Sequence, residues 1–173
     1  MELTVRAAVP DDAAAIAGIL NPIIAARVYT VLDAPFTVAE ERAFIEQFPS
    51  RGVFHVAIAK TDGRVVGFQN VEPFADLRAF DHVGVIGTWV DLQSRRRGVA
   101  TRLFEETFAV AAQKGYRKLF AYVRSDNPAA LAAYQRHGFD IIGLARQHAR
   151  IDDQYVDETL IERQLAGVTP HIS

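Results

Sequence analysis

Thr88-Trp89-Val90-Asp91-Leu92-Gln93-Ser94-Arg95-Arg96-Arg97-Gly98-Val99-Ala100-Thr101 is the junction that decides how this chain is read. A strand-like apolar run stops at Val90, three arginines and a glycine follow, and helical periodicity begins at Ala100. Strand, basic glycine turn and helix in that order make an anion site. The first N–H groups of a helix lack partners inside it and carry partial positive charge. Gly98 lets a pyrophosphate approach the backbone where any Cβ would obstruct it. Arg95, Arg96 and Arg97 add charge around it. Neither Gly-x-x-x-x-Gly-Lys-Ser/Thr nor Gly-x-Gly-x-x-Gly occurs in the chain, so the common nucleotide loops are excluded.

Downstream of the junction the pattern predicts a helix over 100–114 stopped by Gly115, then a strand over 118–123. With the strand over 83–90 this is a βαβ unit, whose two strands run parallel. Asn127-Pro128 opens another helix through Arg136, ended by Gly138. Residues 141–151 pair with 155–165 across Asp152-Asp153-Gln154. Upstream, Thr61-Asp62-Gly63 joins strands over 53–59 and 65–71 into a hairpin. Thr37 caps a helix over 38–47, with Glu40 in the capping-box position. A strand over 3–7 precedes a helix that Pro10-Asp11-Asp12 opens and that runs through Leu20. Asn21-Pro22 then interrupts that helix, and residues 23–29 resume helical spacing before Asp33-Ala34-Pro35. No repeat or linker breaks the chain. The expectation is one α/β domain, residues 1–173.

The 173 residues suffice for one core. A net charge of −2 argues against a general nucleic-acid or membrane-surface binder, so the arginine cluster acts locally. A nucleic-acid module built on Arg95, Arg96 and Arg97 would bind oligonucleotides with a steep salt dependence, and the acidic balance of the rest opposes it. The chain has no cysteine, which removes disulfides, thiolate nucleophiles and thiolate metal sites. His55, His148 and His171 lack metal-ligand spacing, and no metal is expected. No secretory signal or apolar run of about 18 residues is present, so a cytoplasmic protein with no membrane partner is expected.

Arg95-x-x-Gly98-x-Ala100 resembles the Arg/Gln-x-x-Gly-x-Gly/Ala signature of the GNAT superfamily of acyl-CoA-dependent N-acetyltransferases. Asn127-Pro128-Ala129-Ala130-Leu131-Ala132-Ala133-Tyr134-Gln135-Arg136-His137-Gly138-Phe139 is similar to the family's Asn-x-x-Ala-x-x-x-Tyr-x-x-x-Gly-Phe segment. The opening, Val5 to Ala13, resembles the usual start of such enzymes. The Gln154-Tyr155-Val156-Asp157 hairpin is similar to the phosphinothricin acetyltransferase-like branch. The order of elements follows the family nearly end to end. The resemblance implies the GNAT fold, a mixed sheet of about seven strands with helices on both faces.

It also implies acetyl-CoA as acyl donor, with its pyrophosphate on the N–H groups of Arg96, Arg97, Gly98, Val99, Ala100 and Thr101, and Arg95 beside them. Its pantetheine arm would pair with Thr88, Trp89 and Val90 like an added strand. Asn127 would touch the CoA. Tyr134 matches the general-acid position and would protonate the departing thiolate. A strand N–H near Val90 would stabilise the oxyanion. An acceptor amine near pKa ~10 is mostly protonated at neutral pH and needs a base. Many relatives place a glutamate or histidine on the strand entering the loop, but Gly84-Val85-Ile86-Gly87 has no ionisable group. His82, expected on the same strand face as Gly84, and Glu72, at the end of the preceding hairpin strand, are the candidates, with Asp81 and Asp91 next. The remaining option is that no residue serves, the amine arriving neutral or losing its proton to a water chain. Glu72, Asp81, Asp91 and Asp153 together would favour a cationic acceptor.

The leading expectation is N-acetylation of a small amine, an amino acid analogue or a protein N-terminus. The alternative is a catalytically silent acyl-CoA-binding domain, kept open by the missing strand carboxylate. Pairing of two copies is a further expectation that the family raises.

Overall fold

The computed structural model describes residues 1–165, and the expectations for residues 166–173, His171 among them, lie outside the described residues. Seven strands form one sheet in the order β1-β2-β3-β4-β5-β7-β6. They are β1 Leu3–Ala7, β2 Val53–Ala59, β3 Val65–Pro73, β4 Val83–Val90, β5 Lys118–Arg124, β6 Asp140–Ile151 and β7 Gln154–Gln164. Among the described residues four α-helices accompany them: α1 Ala13–Ala25, α2 Val38–Glu46, α3 Val99–Gln113 and α4 Pro128–Arg136. This is the mixed α/β architecture expected from the chain.

Alternation along the strands sorts side chains between two layers. Phe54, Val56 and Phe68 join Ile16, Ile19, Leu20, Ile23 and Ile24 of α1, and Ile45 of α2 packs with them. On the opposite face Val53, Val71 and Ile86 pack with Phe104 of α3, Tyr134 of α4 and Phe139. Residues 57, 59 and 66 extend that second layer beneath Val99 and Leu103.

Local chemistry fixes the ends of elements. Thr37 Oγ1 accepts from the Glu40 amide at 3.1 Å while the Thr37 amide donates to Glu40 Oε2 at 2.8 Å, the reciprocal cap expected before α2. Asp152 and Asp153 both adopt positive φ, which folds β6 tightly back into β7. Pro22 departs from expectation, because it sits inside α1 instead of ending it. The amide it lacks would have served the carbonyl of Gly18, and Gly18 is exposed, so water can take its place. The helix ends at Ala25, with Arg27 left-handed at φ 60°, and residues 27–36 are not helical. The helical spacing over 23–29 is therefore only partly realised.

Among the described residues β4 and β5 form the one parallel pairing, and it covers only Val83↔Lys118, Gly84↔Leu119 and Val85↔Phe120. Beyond that point residues 86–90 and 121–124 diverge, and the sheet opens. None of the described helices is long and apolar enough to cross a membrane.

Candidate active site

The phosphate loop starts where β4 ends. Ser94 Oγ donates to Asp91 Oδ2 at 2.7 Å and the Ser94 amide to the Asp91 carbonyl at 2.9 Å, a turn that brings the chain round to α3. Arg96 and Gly98 both have positive φ, 58° and 84°. No side chain caps α3, and its first turn holds no acidic residue, so its leading amides stand free for an anion. A Cβ placed on Gly98 would meet nothing within 4 Å. Glycine is thus required there by its left-handed backbone, and the space beside it is open to a ligand.

A cavity of about 460 Å³ runs from this loop between α3 and α4. Thr88, Trp89, Val90, Arg95, Arg96, Gly98, Val99, Ala100, Thr101, Asn127 and Tyr134 all line it, as the resemblance implies for a CoA site. Arg97 is exposed and stands outside the lining. Trp89 stacks on Phe68 with ring centres 4.9 Å apart, which makes it a wall of the cavity and a lid on the α1 layer at once. The donor set and the uncapped helix fit a pyrophosphate, and the adjacent strand end offers backbone to an extended arm.

Tyr134 is buried, with its ring edge-on to Phe104 and Phe139. Its hydroxyl donates to Thr88 Oγ1 at 3.1 Å, and burial pushes its pKa up to about 12. It therefore remains protonated at neutral pH, as an acid must. Asn127 caps α4 by accepting from the Ala130 amide at 3.2 Å, and its Nδ2 donates to the Tyr29 carbonyl at 3.4 Å.

The base candidates separate. His82 precedes β4 instead of lying on it, is exposed, and offers its carbonyl to the Arg117 and Lys118 amides. It lies at the far end of the strand from the phosphate loop. Asp81 pairs with Arg51 at 2.8 Å, Asp153 with Arg150 at 2.5 Å, and Asp91 holds Ser94. The acidic group expected to attract a cation is thus dispersed onto private partners. Glu72 differs. It is half-buried, has no ion pair among the described residues, and burial raises its pKa. Asn70 Nδ2 donates to its Oε1 at 3.3 Å. By register Glu72 stands directly across from Val85, on the α1 face.

That register accounts for the missing strand carboxylate. A Cβ on Gly87 would come within 2.2 Å of the Trp89 ring, and one on Gly84 within 2.5 Å of Val71. Ile86 is buried in the α3 layer. Only Val85 of the four presents a side chain to the α1 face, and its neighbour there carries the carboxylate.

Several contributors carry no sequence signal as site residues. Residues 26–36 form a strap between α1 and α2, and Tyr29 on it lines the cavity with Arg95 stacked 3.9 Å over its ring centre. Arg124, 6 % exposed, donates to the Arg27 and Thr30 carbonyls at 2.7 and 3.2 Å and pairs with Asp126 at 2.7 Å. Asn21 clasps the backbone of Phe36 through both ends of its amide. His137 lines the cavity, stacked on Phe104 at 4.4 Å. The alanines 129, 130, 132 and 133 line α4's side of it, small residues whose run was visible in the sequence but whose direction was not.

Residues 25–139 match the model of the Acetyltransferase (GNAT) family. YwnH of Bacillus subtilis, provisionally named a phosphinothricin acetyltransferase, is 26 % identical over 164 residues, 95 % of this chain and all of that protein. The phosphinothricin N-acetyltransferase of Streptomyces coelicolor is 24 % identical over 95 % of this chain and 97 % of its own length. The crystal structure of a GNAT phosphinothricin acetyltransferase from Sinorhizobium meliloti in complex with AcCoA shares the fold, with a TM-score of 0.88 and 21 % identity over all of this chain and 95 % of that one. The family match spans well over half of the chain, and on that ground the protein belongs to the GNAT family of acetyltransferases, in the company of phosphinothricin acetyltransferase-like proteins.

Proposed function

We propose that this protein transfers an acetyl group from acetyl-CoA to the primary amine of a small molecule, with an amino acid or its analogue as the leading acceptor, by direct attack on the thioester. One observation carries the reading: the uncapped start of α3, the free end of β4 and the Tyr134 hydroxyl meet in a single cavity. Relatives named for phosphinothricin and for L-amino acids support a small amine. The reading takes residues 1–173 as one domain acting in the cytoplasm.

In the reaction the amine nitrogen forms a bond to the thioester carbonyl carbon, the carbon–sulfur bond breaks, and the sulfur leaves as a thiolate. The chain has no cysteine to carry an acyl group, so positioning of the two reactants supplies the main gain. The amides from Arg96 to Thr101 and the Arg95 and Arg96 side chains hold the pyrophosphate, and Arg97 adds charge from outside the cavity. Thr88, Trp89 and Val90 pair with the pantetheine arm, and a strand amide near Val90 faces the oxyanion. Asn127 sits beside the donor. Tyr134 gives its proton to the thiolate, and Glu72 accepts the amine's proton directly or through water. The catalytically silent alternative drew on the lack of a carboxylate on β4, and Glu72 on the adjoining strand supplies one.

The test is thiol release from acetyl-CoA with phosphinothricin, the free L-amino acids and a short peptide bearing a free N-terminus. Turnover on at least one amine is expected. Tight acetyl-CoA binding with no turnover on any of them overturns the enzyme reading.

A further inference from the structure

Gln69 lies on β3 directly across from Thr88, on the face beneath α3, and is completely buried. Its Nε2 donates to Thr88 Oγ1 at 2.7 Å, while its Oε1 has no partner. A buried amide left half-satisfied costs stability, so an apolar residue of the same size is the cheaper occupant of this place. Gln69 does not line the cavity, but Thr88 and Tyr134 do.

The arithmetic of one hydroxyl gives the amide a task. A threonine hydroxyl has a single proton and two acceptor positions. On Thr88 both positions are filled, one by Gln69 Nε2 and the other by the Tyr134 hydroxyl at 3.1 Å. The Thr88 proton is left to point in a third direction, and Thr88 lines the cavity that receives the donor. Without Gln69 the Thr88 hydroxyl is free to turn and donate to the Tyr134 oxygen. That donation favours the phenolate, so Tyr134 gives up its proton at lower pH and holds one for the departing thiolate over a narrower range.

We propose that Gln69 is a positioning residue for the acid step: it fixes the hydrogen bond in the sense Tyr134 to Thr88 and turns the Thr88 hydroxyl proton towards the cosubstrate cavity. This rests on the reading of Tyr134 as the general acid. Gln69 touches no reactant, and its effect passes entirely through Thr88.

The experiment measures thiol release from acetyl-CoA with phosphinothricin and, in a second arm, with water alone, because both reactions expel the same thiolate. Gln69→Met keeps the length of the side chain and removes the donor. It is expected to bring the alkaline limb of the pH profile to lower pH, to lower kcat roughly three- to tenfold on that limb, and to leave the acetyl-CoA Kd within about twofold. In a Tyr134→Phe background Gln69→Met is expected to change nothing further. In a Thr88→Val background, which leaves no hydroxyl to donate to Tyr134, Gln69→Met should cause no further shift, and Thr88→Ser should retain the parental profile; Gln69→Leu takes the place of Gln69→Met if that variant does not fold. An unshifted pH profile in Gln69→Met overturns the proposal, as does a shift that Gln69→Met still causes in the Thr88→Val background, or an equal loss of kcat from Gln69→Met with and without Tyr134. Tyr134→Phe turning over at the parental rate overturns the acid reading instead, which separates the two failures.

Discussion

At the residue scale the proposed chemistry divides between Tyr134 and Glu72, which lie on opposite faces of the sheet. Tyr134→Phe is expected to lower kcat about a hundredfold, the scale of one general acid, while isothermal titration finds acetyl-CoA affinity little changed. Burial holds Glu72 above the ordinary carboxylate range, so kcat should fall as acid protonates it at a pH above that range. Glu72→Gln should lower kcat and abolish that acid limb, and an unchanged limb assigns it to another group. Tyr134 was legible from its spacing to Asn127 and Gly138. The placement of Glu72 was not, because β3 and β4 are joined by residues 74–82, a connection too long to set cross-strand register. Only the fold reveals that a residue thirteen positions away stands beside Val85 with a carboxylate on the same face. The strand placement of His82 failed for a related reason: period-two counting assumed that the strand began before Val83.

At the scale of elements, the start of α3 depends on a backbone that few residues adopt. Gly98→Val forces a β-branched residue to φ 84°, and CoA affinity measured by titration is expected to fall at least tenfold, about 1.4 kcal/mol. The strap over residues 26–36 depends on Arg124. Arg124→Met leaves the Arg27 and Thr30 carbonyls without their donor, so limited proteolysis should cut the strap faster than in the parent, and Arg124→Lys should restore only part of the protection. Equal cutting in all three proteins removes Arg124 from this role. Helices and strands were legible almost to the residue where caps and glycines punctuate the chain, as at Thr37 and Gly115. The interruption expected at Pro22 was misread because proline's penalty depends on the fate of one carbonyl, that of Gly18, and exposure is a property of the fold.

At the scale of the molecule, Arg6 and Asp12 tie β1 to the start of α1 by a two-pronged ion pair at 2.7 and 2.8 Å. Burial alone would raise the Asp12 carboxyl, but Arg6 and the Val9 amide more than offset it and hold it below its ordinary range. A lowered pKa stabilises the fold above the unfolded value and is lost as pH falls through the folded one. Asp12→Asn should therefore lower the urea midpoint at pH 7, and the gap to the parent should close as the pH falls below about 4. The division of the core between the two faces of the sheet has a longer reach. The hydrophobic clusters on those faces share no residue, so substitutions beneath α1 and α2 leave the packing under α3 intact. Acceptor preference can then drift from one descendant of this fold to the next while the donor half is inherited unchanged, one mutable half attached to one fixed one.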